Sequence, residues 1–269
     1  MVYYIYSEIK RTLKERSALI FLLGIIAASV LANLSIIVFR DVIYGTNDGT
    51  YAYNIIMFAG GFFWLPYYFM IFVADMVFGK TYPDPYLRNR ANLKLRRYQM
   101  FLGKLISEFI LVILYSFAAL LIFLGISFVF QMSAGPMEMS IVKDFVENLF
   151  WAVPLFIAGV SIGNMFLFMF YDKRKAFAAY FIFTIVIERI IMILGAEPFS
   201  VFICKWIKDH VLITPRFTEL QFFATRDIPK TMILSAIYIV ITAITGCICF
   251  LKKDTAFRTG KGAAKEQKG

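Results

Sequence analysis

The sequence has few of the residues from which most catalytic and metal sites are built. Its 269 residues include three cysteines and one histidine. Three cysteines provide no disulfide framework, and the thiols of Cys247 and Cys249 would point to different faces of a helix, which is poor geometry for zinc. We therefore interpret the cysteines as small apolar filler. His210 has no second histidine with which to form a zinc site or a proton relay, which argues against a metalloprotease.

Charged residues and nucleotide-binding motifs are also scarce. The chain has no G-x-x-x-x-G-K-[ST] segment, so we expect it to bind no ATP itself. Charged residues make up 17% of the sequence and hydrophobic residues 60%, and the mean hydropathy is +0.72. A soluble domain averages about 45–50% apolar and about 25% charged residues. The composition therefore predicts a membrane protein, and the loops leave no room for a soluble catalytic domain.

Six long apolar stretches account for this composition. A bilayer core about 30 Å thick requires roughly 20 apolar residues in a helix. The stretches are continuous rather than alternating, which favours helices. We predict an all-α membrane protein whose membrane domain covers residues 17–251, with spans at roughly 17–39, 53–78, 105–130, 147–170, 177–195 and 232–251.

Lysine and arginine crowd one set of the loops between these stretches. An even number of spans puts both termini on one side, and on that side residues 1–16, 80–104, 171–176 and 252–269 hold twenty of the 28 basic residues. The positive-inside rule makes this side the cytoplasm. The net charge of +10 lies beside the spans, so we assign it to the lipid bilayer and a cytoplasmic partner rather than to nucleic acid.

The two predicted cytoplasmic ends differ in character. In residues 1–16, Tyr6, Ile9 and Leu13 recur at helical spacing, which predicts an amphipathic helix in the headgroup layer. A cytoplasmic extension of the first span is the alternative. The tail 252–269 is basic and rich in small residues, and we expect it to be mostly disordered.

The inside loop 80–104 is the most informative polar segment. Asp84 followed by Pro85 is a helix-start signal, because Asp caps a helix and Pro is tolerated at its first position. A short helix here would expose a tyrosine and a leucine flanked by arginines, as a docking surface does. An ordinary basic loop is the alternative. The candidate docking residues are Asp84, Tyr86, Leu87, Arg88 and Arg90.

The segment from Asp75 to Lys104 resembles the signature region of type-2 ATP-binding-cassette permeases, the membrane subunits of many bacterial drug, polysaccharide and peptide exporters. Those proteins carry an acidic residue and, four positions on, a glycine near the end of the second span. A helix that couples to the ATPase follows, and then a basic–aromatic run ending in lysine. This chain offers Asp75, Gly79, the 84–91 helix and Lys104. It departs in having aspartate where glutamate is usual, and Lys80 where a small hydroxyl residue is common.

The resemblance implies a permease without enzymatic activity of its own, in a bacterial plasma membrane. Two copies, which we expect to be identical, would pair. Each would bind one cytoplasmic ATPase subunit, and that subunit would hold ATP and magnesium, so this chain would need no cofactor or metal. The 84–91 helix would sit in a groove on the ATPase and transmit its closure to the spans. The resemblance also implies re-entrant helices at the outer mouth, before the last span.

Five charged residues lie within the predicted spans, and three of them, Glu108, Glu188 and Arg189, need an explanation beyond the family motif or a span end. Glu188 and Arg189 belong to the fifth span, where a charge at the helix centre costs about 2.5–3.5 kcal/mol. We interpret them as a polar lining of the transport path or as a pair at a dimer seam. Snorkelling combined with a structural ion pair to another span is the alternative. Glu108 lies one turn into the third span, and we expect it to pair with Lys104 at i−4.

Gly159 and Gly163 belong to two overlapping motifs. They match G-x-S-x-G, but a nucleophile elbow requires a strand–turn–helix and this segment is in mid-span. They also form G-x-x-x-G, which lets two helix backbones approach closely. We predict that they pack helices.

The outer segment 196–231 and the second span bear on the cargo. Phe199, Phe202 and Trp206 can share a face in the outer segment, which predicts one or two short amphipathic helices. The second span is dense in aromatic residues, and we expect Pro66 to bend it. Such a wall suits a hydrophobic or amphipathic cargo, and aromatic residues that simply face lipid are the alternative. We favour an amphipathic peptide, with drug, lipid or glycan as alternatives. The other function classes are a secondary transporter, an intramembrane enzyme without an ATPase partner, and a structural membrane protein that transports nothing.

Overall fold

The structure, a computed structural model, describes residues 1–43, 59–79, 97–131, 139–170, 172–221 and 226–258. All regular secondary structure in these ranges is helical, which confirms the predicted all-α class. The helices are α1 Val2–Leu13, α2 Arg16–Ile43, α3 Trp64–Tyr68, α4 Met70–Phe78, α5 Arg97–Gln131, α6 Met139–Met169, α7 Lys173–Phe181, a π-helix at Ile182–Ile187, α8 Glu188–Leu194, α9 Phe202–His210, α10 Thr214–Gln221 and α11 Ile228–Arg258.

Six helical segments in the described ranges are long and apolar enough to cross a membrane, which confirms the predicted number. The last four begin a few residues before their predicted starts, because helical hydrogen bonding continues through polar flanks such as the turn around Lys104. These segments, numbered in chain order, are span 1 Arg16–Ser35, span 2 Ala59–Phe78, span 3 Tyr98–Val129, span 4 Val142–Met169, span 5 Lys173–Leu194 and span 6 Ile228–Lys252.

Span 4 lies at the centre of the bundle and contacts spans 2, 3, 5 and 6. In the most apolar part of each segment, 61% of span 4 and 56% of span 2 are buried, against 17% of spans 1, 3 and 5. Spans 2 and 4 therefore form the core. The apolar outer surfaces of the other spans are left to lipid or to another chain.

Two glycines let spans 4 and 2 approach closely. A Cβ built on Gly159 would lie 2.7 Å from a ring carbon of Tyr67, and one on Gly163 would lie 3.1 Å from the Cα of Ile71. A side chain at either position would displace span 2. The structure thus places the G-x-x-x-G face at the contact between the two most buried spans.

Span 2 is interrupted within its length. α3 ends at Tyr68 and α4 begins at Met70, with Phe69 between them in a non-helical conformation. Pro66 has no N–H with which to bond the carbonyl of Phe62, and the N–H of Leu65 bonds that carbonyl instead, at 2.9 Å. The missing bond coincides with the turn at residues 62–63, directly before α3. The break at Phe69 lies on the other side of Pro66 and is not explained by its missing N–H.

α1 is a helix in its own right rather than a continuation of span 1, because the chain leaves the helical path at Lys14 and Glu15. It packs against the start of span 3. Ser107 donates to the carbonyl of Ile5 at 3.3 Å, and a Cβ on Gly103 would lie 2.7 Å from the Tyr4 ring. The opposite face of α1 exposes apolar side chains, which are Val2, Tyr3, Tyr6 and Leu13.

The outer segment holds two described helices of different kinds. α9 has no buried residue and exposes Phe202, Ile203 and Trp206. α10 is tucked into the bundle, and its Phe217 is buried. The last helix, α11, continues past the predicted end of the sixth span at 251 to Arg258. Residues 259–269 of the predicted tail lie outside the described residues.

Candidate functional site

Charged side chains of α1 and span 3 meet the last turn of span 2 in a largely buried cluster. We call it the loop-base cluster, and it consists of Glu8, Arg11, Lys104 and the carbonyl of Val77. Arg11 Nη2 lies 2.8 Å from Glu8 Oε2, and Lys104 Nζ lies 3.7 Å from the same oxygen. Lys104 Nζ and Arg11 Nη2 both donate to the Val77 carbonyl, at 3.0 and 3.2 Å. Glu8 is fully buried, and these two cations offset part of the cost of burying its charge.

The Val77 carbonyl is one of the last of α4, and the last four carbonyls of a helix have no partner within it. Two positive side chains complement this end of the helix dipole. The cluster therefore fixes both stems of the loop 80–96, since span 2 ends where that loop begins and span 3 starts where it returns. Of the three motif residues Asp75, Gly79 and Lys104, it is Lys104 that belongs to the loop-base cluster.

Asp75 and Gly79, the other motif residues, form a second contact at the same end of span 2. Asp75 Oδ1 lies 2.6 Å from Lys173 Nζ at the start of span 5. A Cβ on Gly79 would lie only 1.9 Å from Asp75 Oδ1. Glycine at position 79 therefore leaves the space that the Asp75 carboxylate occupies, which gives the four-residue spacing of the motif a physical reason.

The predicted docking residues lie outside the described residues. These are Asp84, Tyr86, Leu87, Arg88 and Arg90. The structure describes the two stems that carry them, at Gly79 and Arg97.

A second polar cluster surrounds Glu188, which is 3% exposed. We call Glu188, Tyr67 and Thr214 the Glu188 cluster. The Tyr67 hydroxyl donates to Glu188 Oε1 at 3.1 Å. The backbone N–H of Thr214 donates to Oε2 at 3.2 Å, and the Thr214 hydroxyl donates to the same oxygen. Thr214 is the first residue of α10, so the Glu188 carboxylate caps that helix from span 5.

Local geometry aims Glu188 into the bundle. The π-helix at Ile182–Ile187 ends directly before it, and one extra residue per turn shifts the side chains that follow around the helix axis. Before the π-helix, the Tyr180 hydroxyl donates to the carbonyl of Tyr67 at 2.7 Å. Span 5 thus contacts Tyr67 from both ends of its π-helical segment.

Arg189 does not share the environment of Glu188. Its guanidinium lies 4.9 Å from the centroid of the Trp64 ring, a cation–π contact. Glu188 accepts hydrogen bonds from hydroxyl groups and a backbone N–H, and among the described residues no ion pair joins it to a basic side chain. The two adjacent side chains therefore have different partners: Glu188 faces the core and Arg189 faces an aromatic ring of span 2.

A third buried polar contact joins spans 3 and 4. Asn164 Nδ2 donates to Glu108 Oε2, and both residues are buried. The predicted Glu108–Lys104 ion pair is therefore not formed, because Lys104 is directed toward Val77 and Glu8 instead. Sequence analysis missed Asn164, although an asparagine in an apolar segment that is a candidate span is itself a signal of a buried partner.

Two further arginine contacts were not predicted. Buried Arg216 contacts Glu219 and donates to the carbonyl of Asp209 at 2.8 Å. Burial raises the pKa of Glu219, and the Arg216 charge opposes that shift. Arg226, just before span 6, lies 2.8 Å from Glu147 of span 4.

Within the ranges that the structure describes, no group of three His, Cys, Asp or Glu side chains is placed to hold a metal ion. The three cysteines are free, and the His210 ring stacks on Trp206.

Comparison with known proteins does not assign the chain to a family. The sequence matches no protein-family model. It also matches no curated protein.

Proposed function

We propose that this chain is the permease subunit of an exporter that a separate cytoplasmic ATPase drives. The observation that carries the proposal is the loop-base cluster. A loop that transmits the movement of a partner needs rigidly held ends. Here the buried ammonium group of Lys104 joins both stems of the loop 80–96. Lys104 holds the span 3 stem to the end of span 2, and Arg11 adds α1 to the same carbonyl.

Force applied at this loop has a defined route into the bundle. Asp75 links the end of span 2 to span 5 through Lys173. Ser107 links the start of span 3 to α1. A displacement of the loop would therefore move spans 2, 3 and 5 and α1 together, rather than bending one helix.

The aromatic residues of span 2 support a transport path between two copies of the chain. Three of them, Phe63, Tyr67 and Tyr68, are buried in the core of a single chain. Three others face outward and are about two-fifths exposed, which are Phe62, Phe69 and Phe72. An aromatic path for an amphipathic peptide would use the outward set, and a second copy would close it.

The test is purification of the full chain from its native membrane in mild detergent. We expect an ATPase subunit with a P-loop to co-purify in near-equal amount. The double variant Tyr86→Asp/Leu87→Asp should lose the ATPase and still insert in the membrane. The control Ala263→Asp/Ala264→Asp adds the same charge to the tail and should retain it. An ATPase that stays bound to the docking variant, or a chain that always purifies alone, would refute the proposal.

The peptide cargo is tested separately. Cells that lack the protein should become sensitive to a secreted or host peptide. Unchanged peptide sensitivity and secretion would remove the peptide from consideration and leave drug, lipid or glycan.

A secondary transporter is the second candidate, and the observation that favours it is the pair of carboxyl groups, Glu108 and Glu188, buried in the spans. Intramembrane carboxyl groups are common in proton-coupled transport. Transport that persists after ATP depletion and stops when a protonophore is added would favour this candidate over the ATPase-driven one.

A further inference from the structure

Glu108 and Asn164 form an incomplete hydrogen-bonded pair where spans 3 and 4 meet. Asn164 Nδ2 donates to Glu108 Oε2. The remaining oxygens of the two groups, Glu108 Oε1 and Asn164 Oδ1, are buried and have no hydrogen-bond partner among the described residues. An ionised carboxylate has only acceptor oxygens and an amide carbonyl is also an acceptor, so these two oxygens cannot bond each other.

One proton on Glu108 would satisfy both oxygens. A protonated carboxyl group offers one O–H donor and one carbonyl acceptor, and a primary amide offers an N–H donor and a carbonyl acceptor. The two groups are complementary, and a bond from the Glu108 O–H to Asn164 Oδ1 would close a ring of two antiparallel hydrogen bonds. Without that proton, two buried acceptors stay unpaired in a segment with little access to water.

The charged groups of the neighbouring elements bind elsewhere. On span 3 itself, Lys104 is directed toward Val77 and Glu8. α1 brings Glu8 and Arg11, which pair with each other, and span 2 brings Asp75, which pairs with Lys173 of span 5. The ionisable groups toward the same end of span 6 are the thiols of Cys247 and Cys249 and the ammonium of Lys252. Lys104 is the charged group whose field acts on Glu108, and a positive neighbour disfavours a metal cation as the occupant.

We propose that Glu108 is a proton-binding site, in which the carboxyl group holds a proton that it shares with Asn164. Release of the proton would leave a buried carboxylate one helical turn from Lys104, at the i,i+4 spacing that suits an ion pair. Lys104 would then turn from Val77 to Glu108 and leave the loop-base cluster. The site would thus couple proton release to the hold of α1 on the loop base. This inference does not depend on the proposed exporter function.

Infrared spectroscopy of the full chain in lipid nanodiscs tests the proton directly. Near neutral pH, we expect a C=O stretching band of a protonated carboxylic acid that Glu108→Gln removes. The matched control is Glu188→Gln, which changes another carboxyl group buried within the spans and should leave that component in place. Asn164→Leu should shift the component to higher frequency, because the C=O loses its hydrogen bond. If no component disappears in Glu108→Gln, the group is ionised, with or without a bridging water, and the proposal is wrong.

A second measurement tests the Lys104 step. Gln at position 108 preserves both hydrogen bonds of the ring and cannot ionise, so Glu108→Gln should fold like the wild type. The pH is then raised until the Glu108 band disappears. Over this range, the rate of trypsin cleavage within α1 should increase more in the wild type than in Glu108→Gln. Equal pH dependence in the two proteins would overturn the step.

Discussion

The contact between Tyr67 and Glu188 makes a quantitative prediction, because it joins spans 2 and 5 through two buried groups 121 residues apart in sequence. Tyr67→Phe removes the hydroxyl and keeps the ring that packs on Gly159. Glu188→Met keeps most of the length of the side chain and removes both acceptor oxygens. A double-mutant cycle of the two variants isolates their interaction from the packing of either side chain.

Two ranges of hydrogen-bond energy bracket the expected coupling free energy. Side-chain hydrogen bonds within membranes average about 0.6 kcal/mol and reach about 1.7, whereas hydrogen bonds to a charged group contribute about 1.5–3 kcal/mol. Three donors from Tyr67 and Thr214 converge on the Glu188 carboxyl group. We therefore expect a coupling of about 1.5 kcal/mol, at the boundary of the two ranges.

The assay is reversible unfolding of the chain in detergent micelles, followed for the wild type, both single variants and the double variant. The matched control is Tyr115→Phe, which deletes another buried hydroxyl, whose hydrogen-bond partner among the described residues is the Met76 sulfur at 3.9 Å. Its combination with Glu188→Met should be additive within about 0.3–0.5 kcal/mol. A Tyr67–Glu188 coupling as small as that of the control would show that spans 2 and 5 are not joined at this point.

Two further predictions concern the packing of span 4 and the loop-base cluster. Gly163→Leu should destabilise the chain by about 1–3 kcal/mol or more through overpacking. Gly125→Leu should have little effect, since a Cβ on Gly125 has no atom within 4 Å. Thermal melting in detergent compares the two variants, and equal melting temperatures would contradict the close packing of Gly163 on span 2. Lys104→Met removes one of the two cations beside Glu8 and should make α1 sensitive to trypsin. Lys173→Met breaks an ion pair whose lysine is 53% exposed, worth about 0–1 kcal/mol, and should not. Similar digestion of the two variants would mean that Lys104 does not hold α1.

Composition alone predicts the spans, because a bilayer imposes a length and an apolar content that any sequence window reveals. Local chemistry likewise predicts an interruption of span 2 near Pro66 and the close helix approach at Gly159 and Gly163. These are local constraints: a missing N–H or a missing Cβ acts at the position where it occurs. They need no knowledge of which helices become neighbours.

The buried polar groups are different, because their meaning depends on distant partners. Glu8 lies in an amphipathic segment where a carboxylate ordinarily faces water, and nothing local shows that Arg11 and Lys104 bury it. Lys104 had a local partner in Glu108 at i+4, and the tertiary partners Val77 and Glu8 replaced it. Sequence spacing identified the correct residues and the wrong pairing.

Taken together, the polar contacts divide the bundle into two groups of helices. Spans 2 and 5 are joined at Asp75–Lys173 and again at Tyr67–Glu188, so they are held at two levels. Span 3 and α1 are joined to each other, and Lys104 and Arg11 both donate to the carbonyl of Val77 in span 2. The Tyr115 hydroxyl of span 3 adds a weaker contact to the Met76 sulfur of span 2, at 3.9 Å. Because the Val77 carbonyl lies where the loop 80–96 begins, a displacement of that loop acts on both groups of helices at once.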